Sequence, residues 1–130
     1  MIIAVDFDGT IVDHRFPDIG PPVPGAIEWL QRWKRAGAIL ILWTVRDGRE
    51  LWRALDFLRA NKIEFDRVNE NQVNLTKSRK VYADIYIDDA AYGTPLQRIP
   101  KYCRPCVNWS IVGPDIMKAI LEGGRWPRPS

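Results

Sequence analysis

Two uninterrupted apolar stretches, Met1–Val5 and Ala38–Trp43, set the frame of this chain. Each is too short for a helix and rich in aliphatic or β-branched residues. Each therefore reads as a strand covered on both faces, the pattern of a parallel sheet. Between them Ile27, Leu30 and Trp33 recur at helical spacing after Pro24-Gly25, and Gly37 stands where that helix would end. A second helix is predicted from Gly48 or Arg49 to Ala60, with Leu51, Leu55 and Leu58 on one stripe. Phe65–Val68 and Asp84–Asp88 supply a third and a fourth strand, and Cys106–Trp109 a short fifth. Gly113-Pro114 opens a last helix that Gly123-Gly124 ends. Strands alternating with helices predict an α/β, Rossmann-like three-layer sandwich whose mostly parallel sheet has about five strands.

The 130 residues, 46% of them hydrophobic, are enough for one domain over 1–124 with a loose tail at 125–130. The net charge of +3 is spread along the chain, which is permissive for nucleic acid and no more. His14, Cys103 and Cys106 are the whole complement of histidine and cysteine, too few for a four-ligand zinc site. No apolar run approaches the ~20 residues that span a bilayer, and no basic segment precedes the first strand. The expectation is a cytoplasmic protein without membrane contact, its cysteines reduced. Cys103-Arg104-Pro105-Cys106 lacks a second pair or a nearby histidine and is read as structural. Trp29, Trp33, Trp43, Trp52 and Trp109 fall on predicted elements and are read as packing residues. The basic tail Arg125-Trp126-Pro127-Arg128 suggests anionic contacts only.

In open α/β sheets, ligands bind beyond the carboxyl ends of the strands. There the first strand delivers Asp6 and Asp8, the second Thr44, and the fourth Asp88 and Asp89. Such a cluster repels itself unless pKa values rise or a cation sits among the acids, and an all-oxygen set suits a hard ion such as Mg²⁺. Spacing of two along an extended chain turns Asp6 and Asp8 to one side, and Gly9 allows a sharp turn that brings backbone donors toward an anion.

Asp6-Phe7-Asp8-Gly9-Thr10, then Thr44, then a basic residue ahead of Ala83–Ile87, then Asp88-Asp89, resemble the four ordered motifs of the haloacid dehalogenase superfamily over roughly residues 1 to 90. The resemblance implies a Mg²⁺-dependent phosphomonoester hydrolase. In it Asp6 would be the nucleophile, forming an aspartyl-phosphate, and Asp8 the general acid and base. Asp6, Asp8 through its backbone carbonyl, Asp88 and Asp89 would hold or support the metal, and Thr44, Val45 and Gly9 would bind the phosphoryl group. Lys80, just ahead of the fourth strand, is the preferred neutralising lysine, with Lys77 one helical turn earlier as the alternative. His14, Arg15 and Arg46 are candidate substrate contacts near the site.

The superfamily's caps are inserted after the first motif or between the third strand and the basic motif. Here the corresponding intervals, residues 11–25 and 69–80, are too short to fold as a cap, so the chain resembles the small capless members. The implied partner is a phosphorylated substrate, either a small molecule or an exposed phosphate on a macromolecule; a further copy of the chain, as a homo-oligomer, or the Pro-rich loop is what would cover the open site. Two alternatives stand beside this reading: a phosphate- or nucleotide-binding module with little turnover, and a polynucleotide phosphatase or other nucleic-acid-processing protein.

Overall fold

The computed structural model describes residues 1–123; the expectations for Gly124 and for the 125–130 tail lie outside them. β1 (Ile2–Val5) occupies the middle of a parallel sheet of four strands, in the order β3-β2-β1-β4. It pairs with β2 (Ile39–Leu42) on one side and with β4 (Ile85–Ile87) on the other, and β3 (Arg67–Val68) lies beyond β2. The register sets Val5 level with Leu42 and with Ile87, so all three strands reach the same edge together. Two backbone bonds extend that alignment past the strands, Asp6 N–H to the Ile87 carbonyl at 2.9 Å and Trp43 N–H to the Val5 carbonyl at 2.8 Å. Whatever follows these strands is thereby delivered to one place.

The alternation along β1 and β2 divides the core. Ile3, Val5, Leu40 and Leu42 pack in one cluster with Ala26, Leu30 and Trp33 of α1 (Ala26–Arg35) and Ala54 and Leu58 of α2 (Gly48–Ala60). Trp109, Val112 and Ile116 of α3 (Trp109–Leu121) join the same cluster. Ala4 and Ile41, on the opposite face, meet Val81 and Ala83 instead. The fold is thus α/β and Rossmann-like without a cap, and the layer over the second face comes from the non-helical segment between β3 and β4. No helix among the described residues is long and apolar enough to cross a membrane.

Two elements differ from expectation. α3 begins at Trp109, four residues ahead of Gly113-Pro114, because the Asn108 side chain accepts from the Ser110 amide and caps it there. Pro114 is inside the helix, where it removes the bond to the carbonyl of the exposed Ser110 and its ring crowds that carbonyl. Tertiary contacts outweigh that loss: Trp109 and Trp33 stack with ring centroids 5.2 Å apart, and their indole N–H groups bond the Thr10 and Gly113 carbonyls. A Cβ on Gly113 would lie 2.4 Å from the Trp29 ring, so this helix packs closely only with glycine there. The expected fifth strand, observed as β6 (Cys106–Val107), does not join the main sheet. It pairs antiparallel with β5 (Leu96–Gln97), and the Val107 amide bonds the Gly9 carbonyl rather than the edge of β4. Trp52 is 66% exposed on the outer face of α2, whereas Trp29 and Trp43 are half-buried as packing residues.

Candidate active site

At the carboxyl edge, Asp6, Asp88 and Asp89 each place a carboxylate oxygen within 4.8 Å of the other two. The Thr10 hydroxyl joins this group, 3.4 Å from Asp6 Oδ2, and accepts from the Asp89 amide at 3.2 Å. The Ala90 amide donates to Asp88 Oδ1. Burial, then the charge of Asp88 and the hydrogen bond shared with Asp89, push the Asp6 carboxyl up to about 8. Burial and the same Asp88 charge raise Asp89 as well. Three carboxylate oxygens at this spacing fit a hard divalent cation.

Gly9 keeps the cluster compact. Its φ is +80°, and a Cβ there would lie 2.3 Å from Asp89 Oδ2. Gly9→Ala is expected to lower stability by about 1–3 kcal/mol and to abolish any Mg²⁺-dependent rise in melting temperature, both read by thermal unfolding with and without the ion. The glycine's amide does not turn to an anion as expected: it donates to the Val12 carbonyl at 2.7 Å.

The fourth acid, Asp8, stands apart from the cluster. Both its oxygens accept from Arg46, from Nε at 2.8 Å and Nη2 at 2.7 Å. Arg46 was expected to reach substrate, but it is 1% exposed and its remaining donors bond the Pro17, Asp18 and Glu50 carbonyls. All five guanidinium N–H groups are therefore committed inside the protein. The rings of Phe7 and Phe16 face the guanidinium, each centroid 5.1 Å away. Arg46 positions Asp8 and ties the Pro-rich loop of residues 11–25, with Pro17, Pro21, Pro22 and Pro24, to α2.

Thr44 follows β2 as expected. Asn69 clamps it by a reciprocal pair, accepting from the Thr44 amide at 2.8 Å and donating to its carbonyl at 2.9 Å. The Thr44 hydroxyl accepts from the Arg46 amide, and Val45, 95% exposed, borders the acids. A cavity of about 300 Å³ opens here, with Asp6, Asp8, Asp88 and Asp89 on its sheet side. His14, Phe16, Val45 and Arg104 complete its wall from the loops.

Neither candidate lysine lines this cavity. Lys80 lies over the Tyr86 ring, 5.6 Å from its centroid, and Lys77 borders a separate groove beside Asn69 and Arg67. The reason is local: no helix links β3 to β4, and the segment is held by Asn71, which bonds the Ser78 carbonyl and the Tyr82 amide. Arg15 is also turned aside, paired with Asp13 at 2.9 Å and bonded to the Lys101 carbonyl.

No family model and no curated protein matches the chain. A solved structure of a conserved protein from Bacteroides thetaiotaomicron is similar, with a TM-score of 0.75 and 40% identity over 91% of this chain and 90% of that one. The chain belongs to that protein's family.

Within this family member, three residues that shape the site carry little signal in the sequence. Asn69 is legible only as a polar residue after a strand; its left-handed φ of 53°, which asparagine tolerates, belongs to the folded chain. Thr10 was read as motif rather than as a bridge between Asp6 and Asp89. Arg104 was assigned to a structural Cys-x-x-Cys loop, and nothing in the local sequence relates that loop to β1.

Proposed function

We propose that this protein is a Mg²⁺-dependent phosphomonoester hydrolase of the haloacid dehalogenase type, as the motif resemblance implies. The observation that carries the reading is the convergence of Asp6, Asp88 and Asp89 on a cavity that Asp8 and Val45 also line, with Thr44 next to Val45 but outside that lining. Asp6, Asp88 and Asp89 would hold the ion, which supplies charge neutralisation for the phosphoryl group. An Asp6 oxygen attacks phosphorus as the ester P–O bond breaks; Asp8 would give a proton to the departing oxygen only where Arg46 yields one of the two carboxylate oxygens it now occupies, so that this oxygen can first take up a proton from solvent. Water then attacks phosphorus, its proton returns to Asp8, and the Asp6–phosphorus bond breaks to release inorganic phosphate. Thr44 and the Val45 backbone orient the non-bridging oxygens, a task that phosphoryl transfer needs more than covalent chemistry from the protein. The exposed cavity suits either a small phosphorylated molecule or a phosphate at the end of a macromolecule. Free thiols at Cys103 and Cys106 accord with a reducing, cytoplasmic setting.

A panel of phosphomonoesters assayed with Mg²⁺ and with EDTA tests this. Turnover of at least one substrate is expected with Mg²⁺, falling by at least about 10³-fold in EDTA; activity that survives the chelator overturns the reading. A second reading, a phosphate-binding module with little turnover, draws on one observation, that Arg46 occupies both oxygens of Asp8. Phosphate binding without turnover on any ester would select it.

A further inference from the structure

Charge balance in the cavity poses a problem that the motif residues do not solve. A phosphoryl group brings negative charge to a wall that already carries Asp6, Asp8, Asp88 and Asp89. Arg46 offsets one of these but faces inward with every donor committed, and Lys77 and Lys80 lie elsewhere. Among the described residues, the arginine or lysine that borders the cavity is Arg104. Its side chain is exposed and makes no ion pair among the described residues.

The backbone on both sides of Arg104 is anchored to the loop that follows β1. The Cys103 amide donates to both oxygens of Asp13, at 3.1 and 3.0 Å, and Asp13 is fully buried. Burial works against the charge on Asp13, but the Cys103 amide and Arg15 outweigh it and hold the carboxyl below its ordinary range. On the other side the Val107 amide bonds the Gly9 carbonyl, next to Asp8. The Tyr102 hydroxyl adds a bond to the Pro22 carbonyl. Arg104 is thus held at the mouth of the site by two residues of the first motif's own loop, Gly9 and Asp13. The Cys-x-x-Cys segment carries this arginine between the two anchored amides.

We propose that Arg104 binds the phosphoryl oxygens of the substrate, taking from the loop before β6 the neutralising role that the resemblance assigns to a lysine before β4. The inference rests on the phosphohydrolase reading but makes a separate demand, that inorganic phosphate itself be held by Arg104. A guanidinium can meet two phosphate oxygens at once, which a lysine cannot reproduce.

The test is a set of single variants, Arg104→Gln, Arg104→Lys, Lys80→Ala and Lys77→Ala, with Mg²⁺ present. Inorganic phosphate binding is followed by calorimetry and phenyl phosphate hydrolysis by KM and kcat. Arg104→Gln is expected to weaken phosphate binding and raise KM by between about tenfold and a hundredfold, with Arg104→Lys intermediate. Both lysine variants should stay within about twofold of wild type, since exposed charges outside the cavity are screened. Unchanged phosphate binding in Arg104→Gln overturns the proposal, as does a loss that follows Lys80 or Lys77. It is equally overturned if Arg104→Gln affects only substrates with a second anionic group, which would make Arg104 a distal contact. If wild type shows no Asp6-dependent turnover, the hydrolase reading fails alone, and the phosphate titration still decides for or against Arg104.

Discussion

Asp6→Asn is expected to lower turnover by at least about 10³-fold while making the metal-free protein more stable than wild type at pH 8. The loss follows from removing the proposed nucleophile; the gain follows from removing a charge that burial and Asp88 disfavour. Asp6 titrates near 8 in the folded protein against 3.8 for an ordinary aspartate. Between those values the native state retains a proton that the unfolded chain has released, so wild-type stability falls as pH rises through the window and levels off above it. The effect is capped at about 6 kcal/mol, and sharing of the proton with Asp89 spreads it over a broader range. Asparagine mimics the protonated acid without titrating, so the variant should lose most of this slope. Urea unfolding at pH 5 and pH 8, with and without Mg²⁺, provides the check. Mg²⁺ should flatten the wild-type slope by supplying the missing positive charge. Parallel pH profiles for the two proteins without metal would show that the cluster does not carry this strain.

Arg46→Ala is expected to destabilise the protein by about 3–5 kcal/mol, a large part of the margin of a domain this size. The substitution leaves Asp8 buried without its partner and removes bonds to the carbonyls of Pro17, Asp18 and Glu50. Breaking a buried pair from one side is costly because the remaining charge is already out of water. Arg46→Lys should recover little, since three donors on a flexible stem cannot reproduce a planar fork that serves four residues. The double variant Asp8→Asn/Arg46→Ala should be less damaged than the sum of the singles. Urea unfolding midpoints measure all four proteins, and an Arg46→Ala cost below about 1 kcal/mol would mean that the pair does not hold the loop.

Much of the main sheet was readable because its signal is local. Met1–Val5 and Ala38–Trp43 are apolar throughout, which has few outcomes other than a strand buried on both faces. α2 was placed to within a residue because its leucine stripe and its boundaries lie in one short stretch. The start of α3 was misplaced because Pro114 is a strong local breaker, whereas Asn108 and the Trp33–Trp109 contact act through a cap and a distant helix. β6 was put in the wrong sheet because a short apolar stretch does not specify its partner.

The candidate site divides along the same line. Sequence alone determined which acids would share an edge, since parallel strands in register deliver whatever follows them to one place, and Asp6, Asp88 and Asp89 do meet there. Tertiary structure decided how the charged side chains are used. Arg46 looked free and is buried, Lys77 and Lys80 looked placed and lie outside the cavity, and Arg104 looked structural and borders the acids. A backbone pattern repeats every few residues and can be read along the chain. The position of a long cationic side chain depends on carboxylates and carbonyls many residues away, and only the folded chain brings those together.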